Sequence, residues 1–265
     1  MKYILPIVLL YTTQYASADT TLTFMDAQFK DSQHVITYNI KENRLKLAET
    51  GSDRINIFNQ STQQFISFDP KTDKTSMINE AVLNQRVTQF KQKRIKKVSE
   101  VEKKLEEKLK TMSKKEQEVG QSMLNVLKYP ELYGAHTQLR VNSISKTKQV
   151  AKIECKTYLL YRKEQLLKEY CFADAKALNI NAQEYQTIRG FYAFDYNMQT
   201  RLMLALGESD FSLIDFEKEK IPGIVIETIS YKGQDITQHL LLNSFSSDKL
   251  ADSIFDFKTK APIAP

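Results

Sequence analysis

The stretch that decides the fold reads Ile153-Glu-Cys-Lys-Thr-Tyr-Leu-Leu-Tyr161, then Arg-Lys-Glu, then Gln165-Leu-Leu-Lys-Glu-Tyr-Cys-Phe-Ala173. The two long segments have the composition of strands, and three polar residues are enough to join them as an antiparallel hairpin. With a three-residue loop, Cys155 lies directly opposite Cys171, at a separation that a disulfide can bridge. We therefore predict a hairpin closed by a structural Cys155–Cys171 disulfide. A redox-active pair is the alternative, although the chain has no Cys-x-x-Cys motif.

The N-terminus predicts export, which agrees with a disulfide. A charged start is followed by the apolar run Tyr3–Tyr11 and by Ala16-Ser-Ala18, the layout of a secretory signal peptide. The apolar run has about half the length that a membrane-spanning helix needs, and a retained N-terminal anchor is the alternative. We expect residues 1–18 to be removed by cleavage after Ala18. The mature chain, residues 19–265, would then be a single periplasmic or secreted domain.

Short strands fill the first part of the mature chain. Brief polar turns separate them, and polar and apolar residues alternate in several of them, which is typical of an antiparallel meander with one apolar face. The predicted strands are Thr21–Phe29, Val35–Ile40, Arg44–Ala48, Arg54–Phe58 and Phe65–Phe68. Such a sheet has to cover its apolar face with another part of the chain.

A helical insertion over residues 80–130 is the predicted cover. It is rich in Lys, Glu, Gln and Leu and has no proline before Pro130. Its apolar residues recur about every 3.6 positions, which indicates a straight amphipathic stripe rather than a coiled coil. Ser113-Lys-Lys-Glu116 reads as a capping box, so we expect a break near Met112 and two helices that form a hairpin or a bent pair.

Strands, an apolar helix and further strands complete the predicted order. Thr137–Ile144 precedes the cysteine hairpin, and Ala173–Leu206 is a helical segment whose aromatic residues cover more than one face. Pro222-Gly223 then opens the last run of predicted strands, which are Ile224–Tyr231, Ile236–Phe245 and Ile254–Phe257. This order places the chain in the α+β class, with an antiparallel sheet and separate helices.

Four stretches of this order carry a family resemblance. They are Tyr38–Leu47 with Phe65–Pro70, Met112–Gln117 with Met123-Leu124, Cys155–Tyr161 with Glu169–Asp174, and Ile221–Ile226 with Ser253–Phe257. Together they resemble the outer-membrane lipoprotein carrier family (LolA-like) and, more closely, an uncharacterised family of secreted bacterial proteins with a similar fold. The resemblance implies a curved antiparallel β half-barrel plugged by helices, with the long helical insertion added. It implies no catalytic residues, because the second family has no assigned activity.

Motifs of catalysis and cofactor binding are missing from the sequence. There is no Gly-x-Ser-x-Gly, His-Glu-x-x-His, Walker loop or dinucleotide fingerprint, and the histidines at positions 34, 136 and 239 are far apart along the chain. We therefore expect no cofactor, no metal site and no enzymatic activity. Export, and the lack of aromatic residues among the cations, argue against nucleic acid as a partner.

The aromatic helix and the strand before it supply the first candidate binding site. Between a curved sheet and a plugging helix, their side chains would line a cavity for an acyl chain, whose burial yields about 0.8 kcal/mol per CH₂. The candidate lining residues are Phe172, Tyr185, Ile188, Phe191, Tyr192, Phe194, Met198 and Leu202. We hypothesise a non-catalytic binding protein for a lipid, a lipoprotein acyl chain or another apolar ligand. A fully packed core is the alternative.

The basic part of the insertion is the second candidate site. Residues 80–129 contain 13 Lys and Arg against 7 Asp and Glu, an excess equal to the net charge of +6 of the entire chain. The stretch from residue 86 to residue 97 contains no acidic residue, and its cations are Arg86, Lys91, Lys93, Arg94, Lys96 and Lys97. They form a candidate face for an anionic membrane surface, at about 1 kcal/mol per cation, or for an acidic protein. The protein would then be a structural or interaction module of the cell envelope, and a solvated helix face is the alternative.

Overall fold

One antiparallel sheet of eleven strands dominates the protein, seen in a computed structural model that describes residues 19–28, 34–208 and 210–256. The N-terminal strands are β1 (Thr20–Asp26), β2 (Val35–Lys41), β3 (Arg44–Glu49), β4 (Ile55–Asn59), β5 (Gln64–Asp69) and β6 (Lys74–Ile78). The C-terminal strands are β7 (Leu139–Val150), β8 (Ile153–Arg162), β9 (Gln165–Ala173), β10 (Ile224–Lys232) and β11 (Asp235–Ser246). Each group is a meander, and the pairing of β1 with β11 joins the two. The predicted signal peptide lies outside the described residues.

Within the described residues, four α-helices accompany the sheet. They are α1 (Glu80–Leu109), α2 (Lys114–Lys128), α3 (Pro130–Tyr133) and α4 (Ala182–Leu206). The predicted α+β class is confirmed, and the open, unclosed sheet with its helices agrees with a curved half-barrel. No helix within the described ranges combines the length and the apolar character needed to cross a bilayer.

The helical insertion links the two free edges of the sheet, β6 and β7. With 30 residues, α1 is about 45 Å long. Helix α2 folds back along it, because Lys128 pairs with Glu102 and Gly120 lies beside Leu109. The insertion therefore connects the two edges as a helical hairpin.

Register shifts are confined to one half of the sheet. They interrupt five strand pairs, all of them among β1, β11, β10, β9, β8 and β7. The pairs from β1–β2 to β5–β6 keep a constant register. Because a bulge bends its strand and increases its twist, the C-terminal half is where the sheet departs most from a regular pleat.

The cysteine hairpin forms as β8 and β9, and the predicted disulfide is confirmed, with the two Cα atoms 5.4 Å apart. The predicted register is wrong, since Ala173 lies opposite Cys155 and Thr157 lies opposite Cys171. The turn contains two residues, Lys163-Glu164, instead of three, and a bulge follows further along. Because the cysteines still lie on one face as diagonal neighbours, the disulfide tolerates the different register.

The break inside the insertion is also confirmed. The Ser113 Oγ accepts a hydrogen bond from the Glu116 backbone N–H at 3.4 Å, and the Glu116 carboxylate accepts one from the Ser113 N–H at 2.8 Å. This is the predicted capping box, and it starts α2 after α1 has ended. Helix α2 ends at Lys128, just before Pro130, and Pro130 itself occupies the first turn of α3, where proline is well tolerated.

Two details at the ends of the sheet differ from the predictions. Strand β6 is not among the predicted strands, because its sequence is mostly polar. The first half of the predicted strand Ile254–Phe257 belongs to a 3₁₀ helix, Asp252–Phe255. It cannot pair with β11, the strand before it in the chain, since β10 and β1 already flank β11. The Phe255 ring lies instead under the Arg44 guanidinium. The Cζ atom of Arg44 is 4.7 Å from the centre of that ring.

Candidate functional site

Helix α4 positions most of the predicted lining residues, and local signals fix both of its ends. The Asn181 Oδ1 accepts a hydrogen bond from the Glu184 N–H at 3.0 Å, and the Glu184 carboxylate accepts one from the Asn181 N–H at 3.3 Å. Gly207 ends the helix with φ +88°, the left-handed conformation that favours glycine. These caps set which aromatic residues of α4 lie opposite which strands.

The middle of α4 is packed against aromatic rings from the N-terminal half of the sheet. Phe191 and Phe194 are each 8% exposed, and their ring centres lie 5.7 and 5.3 Å from that of Phe58 in β4. The Tyr38 ring of β2 lies 6.2 Å from the Phe191 ring, and Ile188 has no exposed surface. These three predicted lining residues therefore lie in a filled core.

A cleft of about 400 Å³ opens at the N-terminal end of α4, between the helix, the end of β9 and the segment before β10. Two of the predicted lining residues, Phe172 and Tyr185, contribute to its walls, together with Tyr158 of β8 and Pro222-Gly223. The Tyr185 hydroxyl oxygen accepts a hydrogen bond from the Gly223 backbone N–H at 3.2 Å. The volume lies in the usual range of small-molecule sites.

Gly223 brings the chain close to β9 at the wall of this cleft. It has φ +92°, and a Cβ atom at this position would lie 2.4 Å from the Ala173 carbonyl oxygen. A larger residue would therefore clash with the backbone and would strain its own. The backbone itself holds this part of the cleft in place.

Two lysines stand at the rim of the cleft. Lys156 lies on β8, with its Nζ 5.5 Å from the centre of the Tyr158 ring, and Lys176 lies on the 3₁₀ helix that follows β9. The rim carboxylate of Asp174 accepts a hydrogen bond from the Lys176 backbone N–H at 2.8 Å and so caps that helix. Among the described residues, neither lysine ammonium has a carboxylate within 4.0 Å.

The remaining predicted lining residues lie elsewhere along α4. The Tyr192 ring is 5.7 Å from that of Phe216, which in turn lies 5.0 Å from the Phe172 ring, and burial raises the pKa of the Tyr192 hydroxyl. Met198 packs against the main core and Leu202 is half-buried. The eight predicted lining residues thus occupy different environments instead of lining one cavity.

Several residues of the cleft were not predicted from the sequence. Tyr158, Lys156 and Lys176 carried no signal of their own, because their meeting depends on how β8, β9 and α4 come together. Pro222-Gly223 was recognised only as the start of a strand. The proline-glycine pair was the one available signal, since it marks a position where the backbone turns sharply.

A pair of half-buried charges, Asp195 of α4 and Lys168 of β9, lies away from the cleft. Burial raises the pKa of the Asp195 carboxyl and lowers the pKa of the Lys168 ammonium, while the charge of each moderates the shift of the other. Burial, together with the Asp195 charge, also raises the pKa of Tyr38 to about 12. None of these groups lines the cleft.

The predicted basic face of α1 is divided by the fold. Arg94 is only 7% exposed, and its Nη1 donates a hydrogen bond to the Leu204 carbonyl oxygen at 2.9 Å. Its aliphatic stem lies against Gly207. The guanidinium therefore caps the negative end of the α4 dipole, which takes Arg94 out of the candidate anionic-partner face.

The other cations of that set remain at the surface. Arg86 is half-buried, and the exposed members are Lys91, Lys93, Lys96 and Lys97. Large apolar side chains are exposed on the same insertion: Ile95, Val101, Val119, Met123, Leu127, Tyr129, Leu132 and Tyr133. A groove of about 310 Å³ between α1 and the α2–α3 segment combines both kinds of residue, including Lys91, Ile95 and Tyr129. The insertion thus presents a surface that is both cationic and apolar.

The three histidines have separate surroundings. His34 Nε2 lies 2.6 Å from Glu49, His239 Nε2 lies 2.9 Å from Glu227, and the His136 ring stacks 4.7 Å from the Phe211 ring. In the part of the chain that the structure describes, no group of three or more His, Cys, Asp or Glu side chains is arranged to hold a metal ion.

Comparisons with known proteins find weak structural similarity. No protein-family model matches the sequence, and no curated protein matches it. Two crystal forms of PNGF-II match 90% of this chain and 30% of theirs, each with a TM-score of 0.39 and with 10% and 8% identity. An uncharacterized conserved protein from Thermus thermophilus matches with a TM-score of 0.40 and 4% identity, over 94% of this chain and 91% of that one. The chain thus spans less than a third of PNGF-II.

Proposed function

We propose that this protein is a non-catalytic, exported binding protein that holds an anionic amphiphile, such as a fatty acid or an acidic lipid. The observation that carries the proposal is the cleft at the N-terminal end of α4. Its walls are formed by Tyr158, Phe172 and Tyr185, and its rim bears Lys156 and Lys176. The aliphatic chain would lie against the aromatic wall, and the acidic headgroup would meet the two ammonium groups.

The polar groups around the cleft suit binding better than chemistry. A catalytic site needs a nucleophile or a general acid or base beside the reacting atoms. The rim carboxylate of Asp174 is instead engaged as a cap, and the Tyr185 hydroxyl accepts a hydrogen bond from Gly223. A few polar groups around an apolar cleft are typical of sites that orient a ligand.

The chemistry of the cleft predicts how affinity depends on the ligand. Each buried methylene contributes about 0.8 kcal/mol, so affinity should increase with chain length until the cleft is full. Each lysine contributes about 1 kcal/mol toward an anionic headgroup. A fatty acid should therefore bind more tightly than the alcohol of equal length, and Lys156→Gln with Lys176→Gln should remove that difference.

Titration of the protein, purified without detergent, with a medium-chain fatty acid and with the matching alcohol tests the proposal. Ala182 is exposed on α4 and lines the cleft, so Ala182→Trp should fill it and abolish saturable binding. Asn197→Trp is the matched control, because Asn197 is exposed on the same helix away from the cleft. Equal binding by both variants, or no binding by the unmodified protein, would contradict the proposal.

The surface of the insertion supports a second candidate function, docking to an anionic lipid surface. Four exposed lysines lie on α1 beside exposed apolar side chains such as Ile95. Cations attract acidic headgroups, and apolar side chains can enter the boundary with the acyl chains. This combination suits a lipid surface, which offers acidic headgroups directly beside an apolar layer.

Charge reversal is the appropriate test of docking, because removal of the insertion would also remove contacts with α4. Besides the Arg94 contact, the Arg201 Nη1 donates to the Glu80 Oε1 at 2.8 Å. We expect Lys93→Glu with Lys97→Glu to reduce sedimentation with vesicles rich in anionic lipid by at least about tenfold. Lys218→Glu with Lys232→Glu, also exposed, is the control. Equal sedimentation with neutral vesicles would count against this function.

A further inference from the structure

The start of the predicted mature chain lies in a buried cluster of charged groups. Asp19 and Glu184 are 2% and 1% exposed. The Glu184 Oε2 accepts a hydrogen bond from the Thr20 Oγ1 at 2.9 Å, so this carboxylate lies beside the first residues of β1. The Glu184 Oε1 is buried and has no hydrogen-bond partner among the residues that the structure describes.

Negative charge exceeds positive charge in this cluster. The Lys41 Nζ lies 3.8 Å from the Asp19 Oδ2, but it also lies 3.2 Å from the Asp252 Oδ1, which Arg44 contacts at 2.7 Å. The two buried carboxylates, Asp19 and Glu184, are therefore accompanied by one largely buried cation, Lys41, whereas Asp252 is exposed. Burial raises the pKa of Glu184, and the charge of Asp19 adds to this effect. The ionised form of Glu184 thus lacks full compensation.

We infer that cleavage after Ala18 frees an α-ammonium group on Asp19 that binds the partnerless Glu184 oxygen and completes the cluster. The backbone nitrogen of Asp19 lies at most about 3.6 Å from the backbone nitrogen of Thr20. The Thr20 side chain already contacts Glu184. A protonated amine supplies both the missing donor and the missing positive charge. Removal of the leader is then a maturation step that stabilises the fold.

The inference rests on the predicted signal peptide and is independent of the proposed ligand. Its test compares two chains that differ only at the start. One begins at Asp19, produced by a protease that leaves no extra residue, and the other carries Gly-Ser before Asp19, which moves the ammonium up to about 7 Å away. Both are also made with Glu184→Gln, which keeps a residue suited to the capping box. Glu116→Gln is the matched control, because Glu116 has the same place in the capping box of α2.

At pH 7, we expect the chain that begins at Asp19 to have an unfolding equilibrium constant roughly tenfold smaller than that of the extended chain. The difference should vanish with Glu184→Gln and persist with Glu116→Gln. An amine that gains a carboxylate partner has a raised pKa in the folded state, so its stabilisation is present below about pH 8 and is lost as the pH rises further.

A second measurement needs no variant. The Asp19 α-amine of the mature chain should be acylated more than about tenfold more slowly at pH 7 than the exposed amine of the extended chain, because its proton is held and buried. Any of three results would overturn the inference. The two chains would be equally stable, or Glu184→Gln would leave their difference in stability unchanged, or their amines would be acylated at equal rates. A start other than Asp19 in the exported protein would do the same. Ligand binding enters none of these measurements, so the failure of this inference and that of the proposed function can be distinguished.

Discussion

The middle and the N-terminal end of α4 carry similar aromatic residues but have opposite packing. Phe191 and Phe194 both meet the Phe58 ring, and Phe191 also meets the Tyr38 ring, so aromatic side chains fill this contact between helix and sheet. Tyr185, two turns earlier, faces a cleft whose other walls include small residues: Ala173, Ala175, Ala182 and Gly223. An aromatic helix by itself therefore does not define a cavity. The size of the opposing residues decides whether one remains.

The difference also follows the regularity of the sheet. The filled region lies against β2 and β4, where the strand register is constant. The cleft lies beside β8, β9 and β10, whose pairs contain register shifts. Because bulges redirect side chains and bend strands, regular packing against the helix is harder to maintain there. The four predictions below test this comparison.

Truncation of a side chain in the filled region should lower the stability of the protein most. Phe191→Ala removes a buried ring that contacts rings of both β2 and β4. We expect the free energy of unfolding to fall by about 3–5 kcal/mol, as is usual for buried aromatic residues. Urea denaturation followed by circular dichroism measures it. A loss below about 1 kcal/mol would show that the middle of α4 is not packed as described.

Removal of the disulfide should have the next largest effect, on the side of the cleft. Cys155→Ala with Cys171→Ala opens a link between residues separated by 16 positions, which stabilises by about 3 kcal/mol in the chain-entropy model. The hairpin carries Tyr158 and Phe172 of the cleft wall, so ligand affinity should fall as well. Chemical reduction of the unmodified protein is the control and should give the same loss. Unchanged stability in both cases would refute the expectation.

Arg94 and Lys93 are neighbours in sequence with different roles, which extends the comparison to the C-terminal end of α4. Arg94→Met leaves the Leu204 carbonyl oxygen without this donor, and we expect a loss of about 1–3 kcal/mol. Lys93→Met should change stability by less than about 0.5 kcal/mol, because Lys93 is exposed. Thermal denaturation of the two variants side by side measures the difference. Similar values would mean that Arg94 does not cap α4.

The smallest expected effect concerns the half-buried Asp195, and it depends on pH. Its pKa is raised in the folded protein, so as pH rises above about 4 the unfolded chain ionises first and folding becomes less favourable. Asp195→Asn removes this dependence. The variant should therefore gain stability relative to the unmodified protein between about pH 4 and pH 7, with the gain absent near pH 3.

Unfolding curves recorded at several pH values provide this measurement. A variant in which Asp252→Asn replaces an exposed carboxyl is the control, since hydrogen bonds from Arg44 and Lys41 lower the pKa of Asp252. Its stability relative to the unmodified protein should fall with rising pH, the opposite sign. The same sign for both variants would contradict the assignment of Asp195 as a half-buried carboxyl with a raised pKa.

Local signals in the sequence predicted many elements of the fold. The turn signals and alternation located β2 to β5, Ser113 and Glu116 located the break in the insertion, and the cysteine spacing predicted the disulfide. Each of these depends on residues close together in the chain. The register of the cysteine hairpin was wrong because two turn lengths place both cysteines on one face, and spacing alone does not distinguish them.

The candidate sites were harder to predict, since they depend on contacts between distant segments. Lys156 and Lys176 meet Tyr185 only when β8, the segment after β9 and α4 converge. Arg94 was grouped with the surface cations because charge is visible in the sequence, whereas the C-terminal end of α4 beside it is 110 positions away. The signal for its burial was that Arg94 lies four positions after Phe90 and four before Val98, on the apolar stripe of α1.

By itself, the sequence determined the α+β class, the order of most elements and the disulfide, because alternation, capping and short-range pairing act over a few residues. The tertiary structure alone decided the pairing of β1 with β11, the bridge from β6 to β7, and which part of α4 is filled or open. These features depend on the sizes and charges of side chains that meet across long sequence separations. No local pattern contains that information, since it exists only once the sheet and helices are packed together.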